Sequence, residues 1–180
     1  MLSSGTSLST SSGVATDWAF IAKVSTENSA TASFEGYINS DYNSYKIILD
    51  GVSSSGNNSL ILMTLSVGGA ENKDDIYGWT THFGSSSSVS GGGNISPYWP
   101  VTNANYNDPS SGEILISGAD SGKRASASWH TGSGINTLGS YTVGGGTFNN
   151  AAQLSGVYLK NNNGNFGGGQ MYLFGLNRYD

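Results

Sequence analysis

The sequence predicts an all-β domain, an antiparallel β-sandwich or jelly roll of about ten short strands, and three observations carry that expectation. Ser, Thr, Asn and Gly make up about half of the 180 residues, whereas hydrophobic residues are 36% and charged residues only 11%. Ser and Asn compete with helical hydrogen bonds, and Gly costs about 1 kcal/mol against Ala inside a helix. Apolar residues recur with period two in successive segments, and Gly, Ser or Asn clusters punctuate those segments every 8 to 15 residues or so.

Residues 1–13, MLSSGTSLSTSSG, are low in complexity and are expected to form a flexible arm, with Leu2 and Leu8 as its anchors on a neighbouring subunit. Residues 14–180 are expected to form one β-sandwich domain. Four strands are expected first, in DWAFIAKV, SATASFEGYI, YKIILDGV and SLILMTLSV. In the third, Tyr45, Ile47 and Leu49 share one face; in the fourth, Ile61, Met63, Leu65 and Val67 do, and its first half is apolar on both sides, as in a central strand. SSSGNNS between them reads as the tip of a hairpin.

IYGWTTHF is a further strand, after which residues 84–100 show no periodicity and read as a long excursion loop ending in Tyr98 and Trp99 between Pro97 and Pro100. GEILISGA and KRASASWHT form a hairpin: Ile114, Ile116, Ala125, Ala127 and Trp129 point inward, and Arg124, Ser126, Ser128 and His130 outward. YTVGGGTF, QLSGVYLK and QMYLFGLN complete the set. The last carries Met171 and Leu173 on one face and Tyr172, Phe174 and Leu176 on the other. The GGG runs at 91, 144 and 167 read as loop or bulge glycines.

Several functions are excluded on composition. A formal charge of −5 and an isoelectric point near 4.7 argue against nucleic acid, because phosphate affinity needs clustered Lys and Arg and only seven are present, scattered along the chain. Met1–Gly13 lacks the cationic start and apolar run of a signal peptide, and no stretch reaches the ~20 apolar residues of a spanning helix, so neither secretion by that route nor membrane insertion is expected. Cysteine is absent, which removes disulfides and thiolate chemistry.

No catalytic apparatus is expected. The paired-carboxylate E-x-D-x-x-E pattern of sandwich glucanases is missing, no G-x-S-x-G elbow exists, and Asp41, Asp50, Asp108 and Asp120 fall at strand ends or turns. His82 and His130 lie in strands beside aromatics without a partner at metal-ligand spacing. No cofactor is expected, apart from a weak calcium signal near Glu71, Asp74 and Asp75, which lack the spacing of a dedicated loop. Aromatics are the remaining candidates: Trp79, Tyr98, Trp99 and Tyr106. Beside Asn and Asp such side chains stack on sugar rings, and at interfaces they seal subunit contacts; both readings stay open.

The segment Ala30–Ala70 resembles a pattern in small virion proteins of tailed bacteriophages. In it a polar turn leads into an S-x-Y-x-x-Y-like element (Ser40, Tyr42, Tyr45), then a K-I-x-L strand, a second aliphatic strand and a Gly-Gly turn. The closing QMYLFGLNRYD, with Gly175 after an aliphatic-aromatic strand, is similar to that group's usual end. The resemblance covers about a third of the chain and implies a jelly-roll-like protein of the virion, assembled in the host cytoplasm. It implies a capsid decoration (cement) protein, a homotrimer bound to the major capsid protein or other virion proteins. The alternative is a tail-fibre or tail-tip module binding a receptor or host glycan. Residues 84–111 and 131–150 depart from the group, and binding specificity is expected there.

Overall fold

The structure, a computed structural model, describes residues 18–57, 59–74, 76–85, 89–104, 108–120, 122–135 and 138–177. The arm anchors Leu2 and Leu8 therefore lie outside the described residues, as do Tyr106 and Asp75. Thirteen strands are present among the described residues: β1 (Trp18–Ser25), β2 (Thr31–Ser33), β3 (Tyr42–Ser54), β4 (Ser59–Val67), β5 (Ala70–Glu71), β6 (Tyr77–Ser85), β7 (Val89–Ser96), β8 (Trp99–Ala104), β9 (Ser110–Ser117), β10 (Ser126–Ile135), β11 (Leu138–Phe148), β12 (Leu154–Asn161) and β13 (Phe166–Asn177). They make two antiparallel sheets. One has eight strands in the order β1-β13-β3-β9-β10-β11-β6-β7; the other runs β2-β12-β4-β5, with β8 also paired to β4. The expected all-β sandwich is what the chain forms.

Period-two patterning fixes which face of each strand meets the core. Tyr45, Ile47 and Leu49 of β3, Ile114 and Ile116 of β9, Trp129 of β10, and Met171 and Leu173 of β13 are buried from the eight-stranded sheet. Ile61, Met63 and Leu65 of β4 and Val157 and Leu159 of β12 are buried from the other. The β9–β10 hairpin forms in the expected orientation, and β4 lies between β12 and the β5/β8 side of its sheet.

Four expectations are corrected. Tyr45–Leu49 and Ile61–Val67 are not a hairpin, because β3 pairs with β13 and β9 whereas β4 pairs with β12, β5 and β8. The linker is an arch between sheets. A connection of four residues, 55–58, spans the roughly 10 Å separating packed sheets. Its bend is held by buried hydroxyls: Ser54 Oγ and Ser59 Oγ are 2.7 Å apart, and Asn161 Nδ2 donates to Ser54 Oγ at 2.7 Å.

The excursion loop is also structure. It supplies β7, hairpinned on β6 in one sheet, and β8, bonded to β4 in the other. Periodicity failed there because glycines fill β7 and because β8 is apolar on both sides, its Trp99, Pro100, Val101, Thr102 and Ala104 all being buried. Nor are the strands uniformly short, since β3 has 13 residues and β13 has 12.

The fourth correction concerns Gly144–Gly146, which lie within β11 and not in a loop. Gly144 pairs across from Trp129, and a Cβ there would stand 2.5 Å from that indole; a Cβ on Gly146 would collide with the indole Nε1 of Trp99. The two missing side chains are the space in which two indoles sit, their centroids 6.4 Å apart. Trp99 Nε1 donates to Gly78 O at 3.1 Å, and its ring meets Tyr77 edge-on at 5.1 Å. Gly146→Ala is therefore expected to destabilise by about 1–3 kcal/mol through overpacking, lowering Tm by roughly 2–4 °C per kcal/mol for a chain of this size. Gly139→Ala, where an added Cβ meets nothing within 4 Å, is the control; a thermal melt showing the two variants alike would contradict this account.

Candidate functional site

The alternation that buries Tyr45, Ile47, Ile114, Ile116 and Trp129 sends the residues between them to the outer face of the eight-stranded sheet. Register aligns these into two rows. One runs Phe174, Lys46, Leu115, Ser128 across β13, β3, β9 and β10. The next runs Glu113, His130, Val143, His82 across β9, β10, β11 and β6. Lys46, Leu115, Ser128, Glu113, His130 and Val143 of these rows, together with Trp18 of β1, line an open groove of about 560 Å³.

The groove is amphipathic. Leu115 and Val143 are 37% and 40% exposed, leaving apolar surface facing solvent, while Lys46, Glu113, Ser128 and His130 surround it with donors and an acceptor. Gly145, across from Ser128, places no side chain on the floor. Lys46 Nζ stands 4.6 Å from the centroid of the Trp18 ring, a cation–π contact that holds the indole at the groove's end.

Beyond Trp18 the same face continues as an aromatic wall on β1 and β13. Phe20 is 59% exposed and meets Phe174 edge-to-face at 5.8 Å, and Lys23 Nζ lies 6.0 Å from the Tyr172 ring. Within the groove lining Glu113 is the lone carboxylate, so the two-carboxylate arrangement of glycoside hydrolysis is not assembled there. What the lining can do is hold a ring that is apolar on its face and hydroxylated at its edge.

The aromatics singled out from the sequence separate in the fold. Trp99 does not face solvent at all: it is fully buried between the sheets, so it is neither a stacking platform nor an interface residue. Trp79 points to the inner side of β6, half-buried, and donates from Nε1 to Ser96 Oγ at 3.0 Å. Tyr98 is half-buried beside Pro97, Leu62 and Thr64 at a smaller pocket of about 220 Å³ on the five-stranded sheet, far from the groove's strands. His130 enters the groove, and His82 is exposed two strands away in the same row. Sequence reasoning missed Trp18, Lys46, Leu115 and Val143. The available signal was Tyr172, Phe174 and Leu176, apolar on a face that the inward residues Met171 and Leu173 leave outside.

Glu71, considered for calcium, is instead the centre of a charge network in the Tyr98 pocket. Lys160 Nζ donates to its carboxylate at 2.6 Å, Thr64 Oγ1 donates at 2.7 Å, and Lys73 Nζ stands 3.4 Å away. Burial pushes the Glu71 pKa up, but the Lys160 and Thr64 bonds and the two lysine charges outweigh it and hold the carboxyl below its ordinary 4.5. Asp74 sits apart, accepting from Asn72 Nδ2 at 3.4 Å. Among the described residues no group of three or more His, Cys, Asp or Glu gathers at metal-binding range.

These observations define an antiparallel β-sandwich carrying an amphipathic groove on the exposed face of its larger sheet. No known family matches the sequence, and no curated protein matches it. Among solved structures, the CBM2 module of the evolved Dit of Lactobacillus casei BL23 phage J-1 is similar at a TM-score of 0.28 and 11% identity, over 86% of this chain and 76% of that one. At that level the likeness assigns neither a ligand nor a site.

The Glu71 network makes a prediction with a definite sign. A carboxyl whose folded pKa lies below its unfolded value contributes stability above about pH 4.5, and that contribution is lost as the pH falls through the folded pKa. In urea titrations from about pH 7 down to about pH 3, Glu71→Gln is expected to lower the midpoint at neutral pH and to converge on the wild type in acid. A gap that stayed constant with pH would remove the ion pairs from the account.

Proposed function

We propose that the chain is a non-enzymatic binding module of a tailed-phage particle, and that it holds a host-surface glycan in the groove on the outer face of the eight-stranded sheet. The groove carries this reading: exposed Leu115 and Val143 offer an apolar floor, Trp18 closes one end, and Lys46, Glu113, Ser128 and His130 ring it with hydrogen-bonding groups. A saccharide has the complementary character, with C–H groups on the ring face and hydroxyls at the rim. The virion setting is supported by the resemblance of Ala30–Ala70 and the closing strand to small phage virion proteins, which also motivates capsid decoration. The groove favours the glycan-binding alternative because it presents an amphipathic surface to solvent, whereas Trp99, a candidate for either reading, belongs to the core.

Calorimetric titration of the chain with host surface polysaccharide tests the proposal. Trp18→Ala or Leu115→Ala is expected to weaken binding at least about tenfold, or ~1.4 kcal/mol, with Tyr98→Ala unchanged because it lies on the other sheet. Equal affinity in all three variants would move the site elsewhere, and no binding to any host glycan combined with saturable binding to purified capsids would return the reading to decoration.

A further inference from the structure

An open β-edge offers a row of unpaired N–H and C=O groups, and folds normally guard such edges with charge, proline, bulges or brevity. Four of the five edge strands among the described residues are guarded. At one end of the eight-stranded sheet, β1 carries Lys23 and breaks register between Phe20 and Ala22. In the smaller sheet, β2 has three residues, β5 has two, and β8 contains Pro100 next to a bulge at Val101. β7 has none of these devices. Its ladder with β6 runs unbroken from Gly84↔Val89 to Tyr77↔Ser96, and its sequence VSGGGNIS holds no charge and no proline. Ser90 through Ile95 are all exposed, and Ile95, at 66%, is more exposed than any other large apolar residue described.

We propose that β7 is an assembly edge that pairs antiparallel with β7 of a second copy of this chain, about a twofold axis, joining two eight-stranded sheets into one. Two features select that occupant. Pairing β7 with itself sets no like charges opposite each other, and a twofold register centred on Gly92 lays the two glycine runs face to face, Gly91 against Gly93, with Ile95 of each copy across from Val89 of the other. A head-to-tail ring such as the expected homotrimer needs two different open edges in the same sheet, and β1 is guarded, so an edge-paired assembly closes only as an isologous dimer.

Sedimentation equilibrium of the whole chain over a wide concentration range tests this, together with amide exchange on β7. The wild type is expected to rise from 18.6 kDa toward twice that mass as concentration increases, with slowed exchange at the β7 amides that face away from β6. Gly92→Lys and Ile95→Lys are expected to stay at the monomer mass at every concentration. Both should fold, because a Cβ at Gly92 meets nothing within 4 Å and Ile95 is exposed. A monomeric wild type would overturn the proposal, including one whose β7 amides are protected by residues 1–17 of its own chain. So would a trimer, or a dimer that survives both substitutions. Glycan affinity plays no part in these readouts, so the dimer and the binding site stand or fall separately.

Discussion

Two indoles set the spacing of this sandwich. Trp99 belongs to β8, which hydrogen-bonds to the smaller sheet, yet its ring crosses the interior to lie over Gly146 and to donate to Gly78 in the larger one. Trp129 rises from the larger sheet beside it, over Gly144, and its Nε1 donates to Thr81 Oγ1 at 3.3 Å. Tyr77 and Phe148 complete the cluster, their centroids 4.9 Å apart. Large rings bury more apolar surface than any aliphatic pair, but only a strand that withdraws its own side chains can receive them. The glycine run of β11 is thus a requirement of the core, and because the residue between the two receiving glycines is also glycine, the outer surface stays low next to Val143. The shape of the groove follows from the packing beneath it.

With so few charges, the interior's polar needs are met by hydroxyls and amides. Thr131 Oγ1 donates to Val101 O at 3.0 Å, bridging the sheets, and Asn161 Nδ2 ties the β3–β4 arch to Asn165 O at 2.8 Å. Tyr77 accepts from Leu65 N and donates to Asn72 O, both at 2.9 Å, closing the backbone where the short β5 ladder stops. Short hydroxyl side chains fit beside a pleated backbone and carry their own donor, so burying them leaves little unsatisfied. Two small groups of charges meet solvent in patterns, Lys46 with Glu113 at the groove and Lys73 with Lys160 around Glu71.

Much of the fold was legible because period two is a local property. Ile114, Ile116, Ala127 and Trp129 could be assigned inward from sequence alone, and each is buried. Partner choice was not legible. The Ser53–Ser59 linker has the composition of a hairpin tip, and nothing local distinguishes a chain that turns back within a sheet from one that crosses to the other. β7 and β8 escaped notice for opposite reasons, one too rich in glycine to alternate and the other buried on both sides. The groove is not legible in the sequence because its members are scattered over five strands from Trp18 to Val143, and only register makes them neighbours; of the aromatics conspicuous in the sequence, Trp99 is fully buried.

Strand periodicity also separates what selection can change. Positions 113, 115, 128, 130 and 143 alternate with core positions along the same strands, so each can be exchanged without altering a buried contact. A surface of this kind can be rewritten one substitution at a time on a fixed scaffold, without the insertions and loop rearrangements through which loop-borne specificity usually drifts. Diversity among descendants of such a chain would be concentrated at every second residue of β9, β10 and β11, with Gly144 and Gly146 held constant beneath it.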